Sequence, residues 1–363
     1  MIRPMRALAL AAGVFLIVIV LWDAFESIVL PRRASFRLRL TRLFYRTTWP
    51  PFAAAGRRMR PGNPREAFLS VFGPLSLIFL LALWAVSLIF SFALIEWGLG
   101  SHISAPAGLS GFSADLYESG TTFFTLGLGD VTPTSTTARV LTTLEAGMGF
   151  AFLALVISYL PILAQAFSRR EVSIALLDAR AGSPPTAAEL LRRHSMEGGG
   201  DVLAKLLGEW ERWSAEVLES HLSYPVLAFY RSQHDNQSWV AALTVVLDTC
   251  ALVISSGQGP LVRPARLTFA MARHAVADLT SVLGQTPLSS APDRLPLEEL
   301  ARLRRALAAA GVPITEEGKA EEHLANLRRL YEPYAQALAR LLIMPMPLWL
   351  PPQGAKDNWE TTA

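Results

Sequence analysis

The stretch Thr125-Leu126-Gly127-Leu128-Gly129-Asp130 decides the reading of this chain. Glycine at alternate positions lets a backbone ribbon take, without steric cost, angles that turn successive carbonyls toward one side. The side chains then serve mainly as packing behind the ribbon. A bare Gly-x-Gly-Asp also makes ordinary turns, so its surroundings carry the argument.

Upstream, Ser113 to Phe124 is long enough for a short helix, with Thr121 and Thr122 leading into the ribbon. Downstream, Val131-Thr132-Pro133 closes the loop. Arg139 then opens an apolar run, Val140 to Ala164, in which Glu145 is the only charge. On the other side Phe68 to Ile95 is a second apolar run. Both runs exceed the roughly 20 residues that a helix needs to cross a bilayer. Irregular backbone at membrane depth is tolerated only where it lines a watery cavity or is buried in protein.

With these residues in order, Phe68 to Arg170 resembles the two-transmembrane-helix potassium-channel pore domain: outer helix, pore helix, selectivity filter, inner helix. The resemblance implies that the carbonyls of Thr125, Leu126, Gly127 and Leu128 coordinate dehydrated K+, with the Thr125 hydroxyl at the innermost site and Gly129 and Asp130 completing the filter. One filter segment cannot enclose an ion, so a single pore loop per chain implies a homotetramer. K+ is the only cofactor implied, with no organic one.

The filter departs from the family pattern. Leu128 stands at the usual aromatic position and Leu126 at the usual Val or Ile, and Tyr117 and Glu118 replace the frequent pair of pore-helix tryptophans. A leucine can neither stack nor donate a hydrogen bond, so the packing around the filter is softer, which bears on discrimination against sodium. Gly-Leu-Gly is similar to the second pore loop of some two-pore-domain potassium channels. A weakly selective cation channel is the first alternative. A non-conducting membrane anchor that signals through its soluble half is the second.

By the same resemblance Gly149 sits where the inner helix carries its hinge, and Phe150, Leu153, Ile157 and Pro161 follow as the gate. Gly149 also reads as a small residue that lets helices approach, and Pro161 as a plain helix end. Glu145 reads as a structural tie to Thr121, Thr122 or Tyr117, or as a group that adjusts the filter with pH. Tyr117, Glu118, Thr121, Thr122 and Glu145 together form the filter support.

Charge sets the orientation. Residues 31–66 hold ten arginines and one acid, Glu66, whereas 99–138 has no basic residue except His102. Short basic loops stay in the cytoplasm, so the filter mouth faces outward in a multi-pass protein of the cell (inner) membrane. Asp115, Glu118 and Asp130 would concentrate cations there. Residues 1–30 read as an extra span with its N-terminus outside, since no small-x-small cleavage site follows the apolar stretch.

Within 31–66 the stripe Phe36, Leu40, Leu43, Phe44 faces Arg33, Arg37, Arg39, Arg42 and Arg46, a pattern suited to anionic lipid headgroups. A basic helix packed on the C-terminal domain is the alternative. The basic excess belongs to the membrane surface, which argues against nucleic acid.

The remaining domains are the pore, 67–168, and a cytosolic helical domain, 169–363. The whole is an all-α membrane protein, in keeping with 52% hydrophobic residues. Helix stops and starts fall at Ala181–Thr186 and Gly198–Asp201. Core stripes run through Leu203, Leu206, Leu207, Trp210, Trp213 and Val217, and through Leu324, Leu327, Tyr331, Tyr334, Leu338 and Leu341, with Pro333 bending the second. Trp239 to Ser256 reads as a buried core helix, because Asp248 at its centre would cost about 2.5–3.5 kcal/mol in a membrane.

Cys250, the single cysteine, excludes intrachain disulfides and reads as a buried thiol. A polar cluster, His221, Tyr224, Tyr230, Arg231, His234, Asp235, Asn236 and Gln237, is the best candidate ligand site of this domain, with Arg263, Arg266, Arg273 and His274 farther on. Capping and inter-helix bonds account for the same residues. No nucleophile and base stand at a convincing spacing, and no enzyme is expected.

Overall fold

The computed structural model describes residues 2–29, 40–196, 198–234, 236–257, 259–290, 292–312, 318–352, 354–355 and 358–359. Arg33, Arg37, Arg39, Phe36 and Asp235 lie outside them. In chain order the helices are α1 (Ile2–Ala24), α2 (Leu40–Arg58), α3 (Asn63–Ser70), α4 (Phe72–Leu99), α5 (Phe112–Phe123), α6 (Thr136–Ala181), α7 (Ala187–Arg193), α8 (Gly199–Ser223), α9 (Trp239–Ser256), α10 (Val262–Val282), α11 (Leu297–Ala309), α12 (Gly318–Arg329) and α13 (Glu332–Leu342). Two short strands, β1 (Ile103–Ser104) and β2 (Thr132–Pro133), pair antiparallel across the pore loop.

Contacts divide the chain into two compact units, residues 1–50 with 74–164 and residues 51–73 with 165–363. In the first unit, α1 packs antiparallel on α4 through small residues. A Cβ on Gly98 would meet the Arg6 carbonyl oxygen at 2.9 Å, and one on Gly13 the Ser91 carbonyl oxygen at 2.6 Å. At the other end of this seam Asp23, buried, accepts from the Trp84 indole at 3.0 Å and from the Thr41 hydroxyl at 2.7 Å. The three helical stretches Arg3–Ile28, Asn63–Leu99 and Thr136–Ala181 are long and apolar enough to cross a membrane.

The second unit takes in residues 51–73, whereas hydropathy alone draws a boundary at 66/67. Packing explains the difference. Phe52 stacks on Phe68 at 4.3 Å, Phe72 meets Phe229 edge-on at 5.4 Å, and Glu66 pairs with Arg231 at 3.0 Å. In the stretch 31–66, α2 leaves Arg42, Leu43 and Arg46 exposed.

Helix starts in this unit follow side-chain chemistry. Thr186 caps α7 through the Glu189 amide, and Ser238 caps α9 through the Ala241 amide at 3.0 Å. The helix α9 also meets the length and apolarity of a span, yet it is sheathed by α7, α8, α10, α12 and α13 and is buried from Trp239 to Ile254. Asp248 at its middle is held by Arg294 and Tyr331. Burial also pushes the Cys250 thiol well up.

Two proline readings change. The helix α6 continues through Pro161 to Ala181, so Pro161 does not end it. Pro333 does not bend a continuous run. It stands at the first turn of α13, where its missing N–H costs nothing, and α12 has already ended at Arg329.

Candidate functional site

The pore helix α5 ends at Phe123, and its last carbonyls take up the amides of the ribbon that follows. The Thr125 amide bonds the Thr122 carbonyl at 2.9 Å and the Leu126 amide the Thr121 carbonyl at 2.8 Å. Thr125, Gly127 and Gly129 have φ of 57°, 55° and 79°, all left-handed, and Leu126 and Leu128 between them do not. For Thr125, a β-branched residue, that conformation costs about 1–2 kcal/mol. Among the described residues no hydrogen bond is accepted by the carbonyls of Thr125 to Leu128. Leu126 and Leu128 are 62% and 63% exposed on the single chain.

The support behind the ribbon differs in part from the sequence expectation. The Tyr117 hydroxyl donates to Asp130 at 3.0 Å, so α5 is tied to the far end of the ribbon by a hydrogen bond in place of ring stacking. Glu145 does not reach Thr121, Thr122 or Tyr117; the Ser119 hydroxyl donates to it instead. Thr122 and Thr142 both donate to Glu118, at 3.2 and 3.1 Å, and Thr121 donates back to the Glu118 carbonyl.

Glu96, one residue past the apolar run that ends at Ile95, escapes hydropathy reasoning altogether. It lies buried with Glu118 and Glu145, one oxygen of each within 4.8 Å of the others. Two full charges at that separation repel by roughly 3.5 kcal/mol even at an effective dielectric of 20. The three therefore cannot all be bare carboxylates.

Gly149 of α6 lies directly against the end of the pore helix, where a Cβ would fall on the Phe123 carbonyl oxygen. Close approach alone requires glycine there. Phe150, Leu153 and Ile157 are 68%, 55% and 63% exposed on the single chain, an apolar row with no covering element among the described residues.

The polar cluster of the second unit resolves into separate structural tasks. His221 is buried between Arg170, the Val217 carbonyl and the Trp239 ring, and burial, then the charge of Arg170, hold its pKa well below the usual value. Arg231 pairs with Glu66 and caps the Leu342 and Ile343 carbonyls, while Tyr230 offers its carbonyl to Arg170. Asn236 bonds Ser183. His274 pairs with Asp278 on the surface at 3.5 Å, away from these groups along α10. They do not form one ligand site.

Residues 76–166 match the family described as an ion channel, which spans α4, the loop and the first part of α6. Helices, pore loop and match together define an all-α membrane protein with an ion-channel domain. The chain is also similar to the uncharacterized membrane protein YdjJ of Bacillus subtilis (strain 168), at 24% identity over 254 residues, 68% of this chain and 70% of that protein. No solved structure matches.

Proposed function

We propose that four copies of the chain assemble around a fourfold axis as a K+ channel of the cell membrane, with the ribbon Thr125 to Leu128 coordinating dehydrated ions through main-chain oxygens. The observation that carries the reading is the alternation of left-handed residues at 125, 127 and 129, with the amides of Thr125, Leu126 and Gly127 engaged by the pore helix and the ribbon's carbonyls accepting no hydrogen bond among the described residues. The basic stretch 31–66 supports a filter mouth outside and residues 169–363 in the cytoplasm. Arg42 and Arg46, exposed on α2, face anionic headgroups. Gly149 to Pro161 lines the inner pore, and the helical domain sets its opening.

Leu128 favours a second reading, a weakly selective cation channel, because no ring stiffens the filter at that position. Reconstituted single-channel recording with potassium, sodium and rubidium separates the alternatives. A potassium reversal potential supports the first reading, and a near-zero bi-ionic potential the second. Absence of current from folded tetramer would leave only a non-conducting sensor.

A further inference from the structure

Behind the filter, three carboxylates from three helices converge: Glu96 of α4, Glu118 of α5 and Glu145 of α6, with one oxygen of each within 4.8 Å of the others. Hydroxyls hold them from the flank, Ser119 on Glu145 and Thr122 and Thr142 on Glu118. Four oxygens of the same three groups are buried and receive no hydrogen bond from a hydroxyl or N–H: both of Glu96, Oε2 of Glu118 and Oε2 of Glu145; Glu96 and Glu118 lie within reach of a carboxyl–carboxyl hydrogen bond. Glu96 itself is only 4% exposed. Among the described residues, none of the ion pairs involves these three side chains.

We propose that this triad binds a hard divalent cation, of the calcium and magnesium class, which clamps the outer helix, the pore helix and the inner helix together. The ligand set is all oxygen with no histidine or thiolate, the donor chemistry of such ions and not of softer metals. Oxygens around one cation at about 2.0–2.6 Å stand no more than roughly 5 Å apart, and the three here lie within 4.8 Å of one another. Hydroxyl donors leave the net charge of the cluster untouched, and a divalent ion removes most of it. The site uses side-chain carboxylates, whereas the filter uses main-chain carbonyls, so it stands whether or not the protein conducts.

Manganese(II) is the probe. Purified full-length protein, stripped with chelator and held in potassium buffer, is titrated with Mn2+ while the free-ion paramagnetic resonance signal is followed. The expected result is one Mn2+ per chain, displaced by Ca2+ or Mg2+. Glu96→Gln should weaken it at least tenfold, and Glu216→Gln, at an exposed carboxylate of α8, should leave it unchanged. If Glu96→Gln does not yield folded protein, Glu118→Gln gives the same reading. Absence of stoichiometric binding to the wild type, with a protonated-carboxyl infrared band that disappears in Glu96→Gln, overturns the proposal in favour of shared protons. Binding that survives both glutamine variants overturns it as well.

Discussion

Replacing Arg294 by methionine isolates the most heavily loaded interaction in the second unit. Arg294 reaches Asp248 with both terminal nitrogens, at 3.2 and 2.7 Å, and also bonds Glu332 at 3.0 Å and the Pro347 carbonyl at 2.8 Å. Burial alone would lower the pKa of this guanidinium, and the charge of Asp248 overrides it and drives the value up. Asp248 is fully buried, and its other partner is the Tyr331 hydroxyl at 2.5 Å. Arg294→Met keeps the length of the side chain but leaves a buried carboxylate without its cation, which costs about 3–5 kcal/mol. For a unit of this size that lowers the melting temperature by roughly 6–20 °C.

Thermal unfolding of the purified protein, followed by tryptophan fluorescence, reads the change. Trp349 is buried beneath the Arg294 guanidinium, 5.5 Å from it, and reports on the same site. The double variant Arg294→Met/Asp248→Asn removes the stranded charge and should recover more than half of the loss. A single variant that melts within about 2 °C of the wild type, or a double variant no better than the single, would refute the assignment of α9 as the core of this unit.

Gly149→Ala should destabilise the pore unit by about 1–3 kcal/mol, because the methyl meets main chain that cannot move aside; an unchanged melting temperature with altered open probability would favour a pure hinge. Tyr117→Phe removes the bond to Asp130, and the expected reading is a fall in the potassium-to-sodium permeability ratio. His221 stays neutral in the folded chain because burial and Arg170 lower its pKa, while the unfolded chain takes up a proton below about 6.5. Stability should therefore fall as pH drops from 6.5 toward the depressed folded value, by up to about 1.4 kcal/mol per pH unit. His221→Gln should flatten that slope in melts between pH 7 and 5.

The channel module is legible in the sequence because its constraints are local. Glycines recur where left-handed angles are needed, and apolar runs have membrane length. Groups that meet across helices are a different matter. Glu96 reads as the polar end of an apolar run until α5 and α6 bring Glu118 and Glu145 to it. Arg294 sits in a loop with no periodic signal, and only the fold carries it to Asp248. Conversely, His221, Arg231 and Asn236 look like parts of one cluster in sequence, yet they turn to Arg170, Glu66 and Ser183, because a short connection between α8 and α9 points side chains into different walls. Pro161 and Pro333 show why a proline alone decides little. One lies within a helix that runs on, and the other begins a new one.

The glycine seam between α1 and α4 bears on any handling of the amino terminus. Removing the first helix would open the Gly98 notch in α4 to acyl chains and leave the Trp84 indole N–H without its acceptor in hydrocarbon. Truncations or fusions that cut into residues 6–23 therefore strip a fitted wall from the flank of the pore, and the damage would read as a channel defect although no conducting residue had been touched.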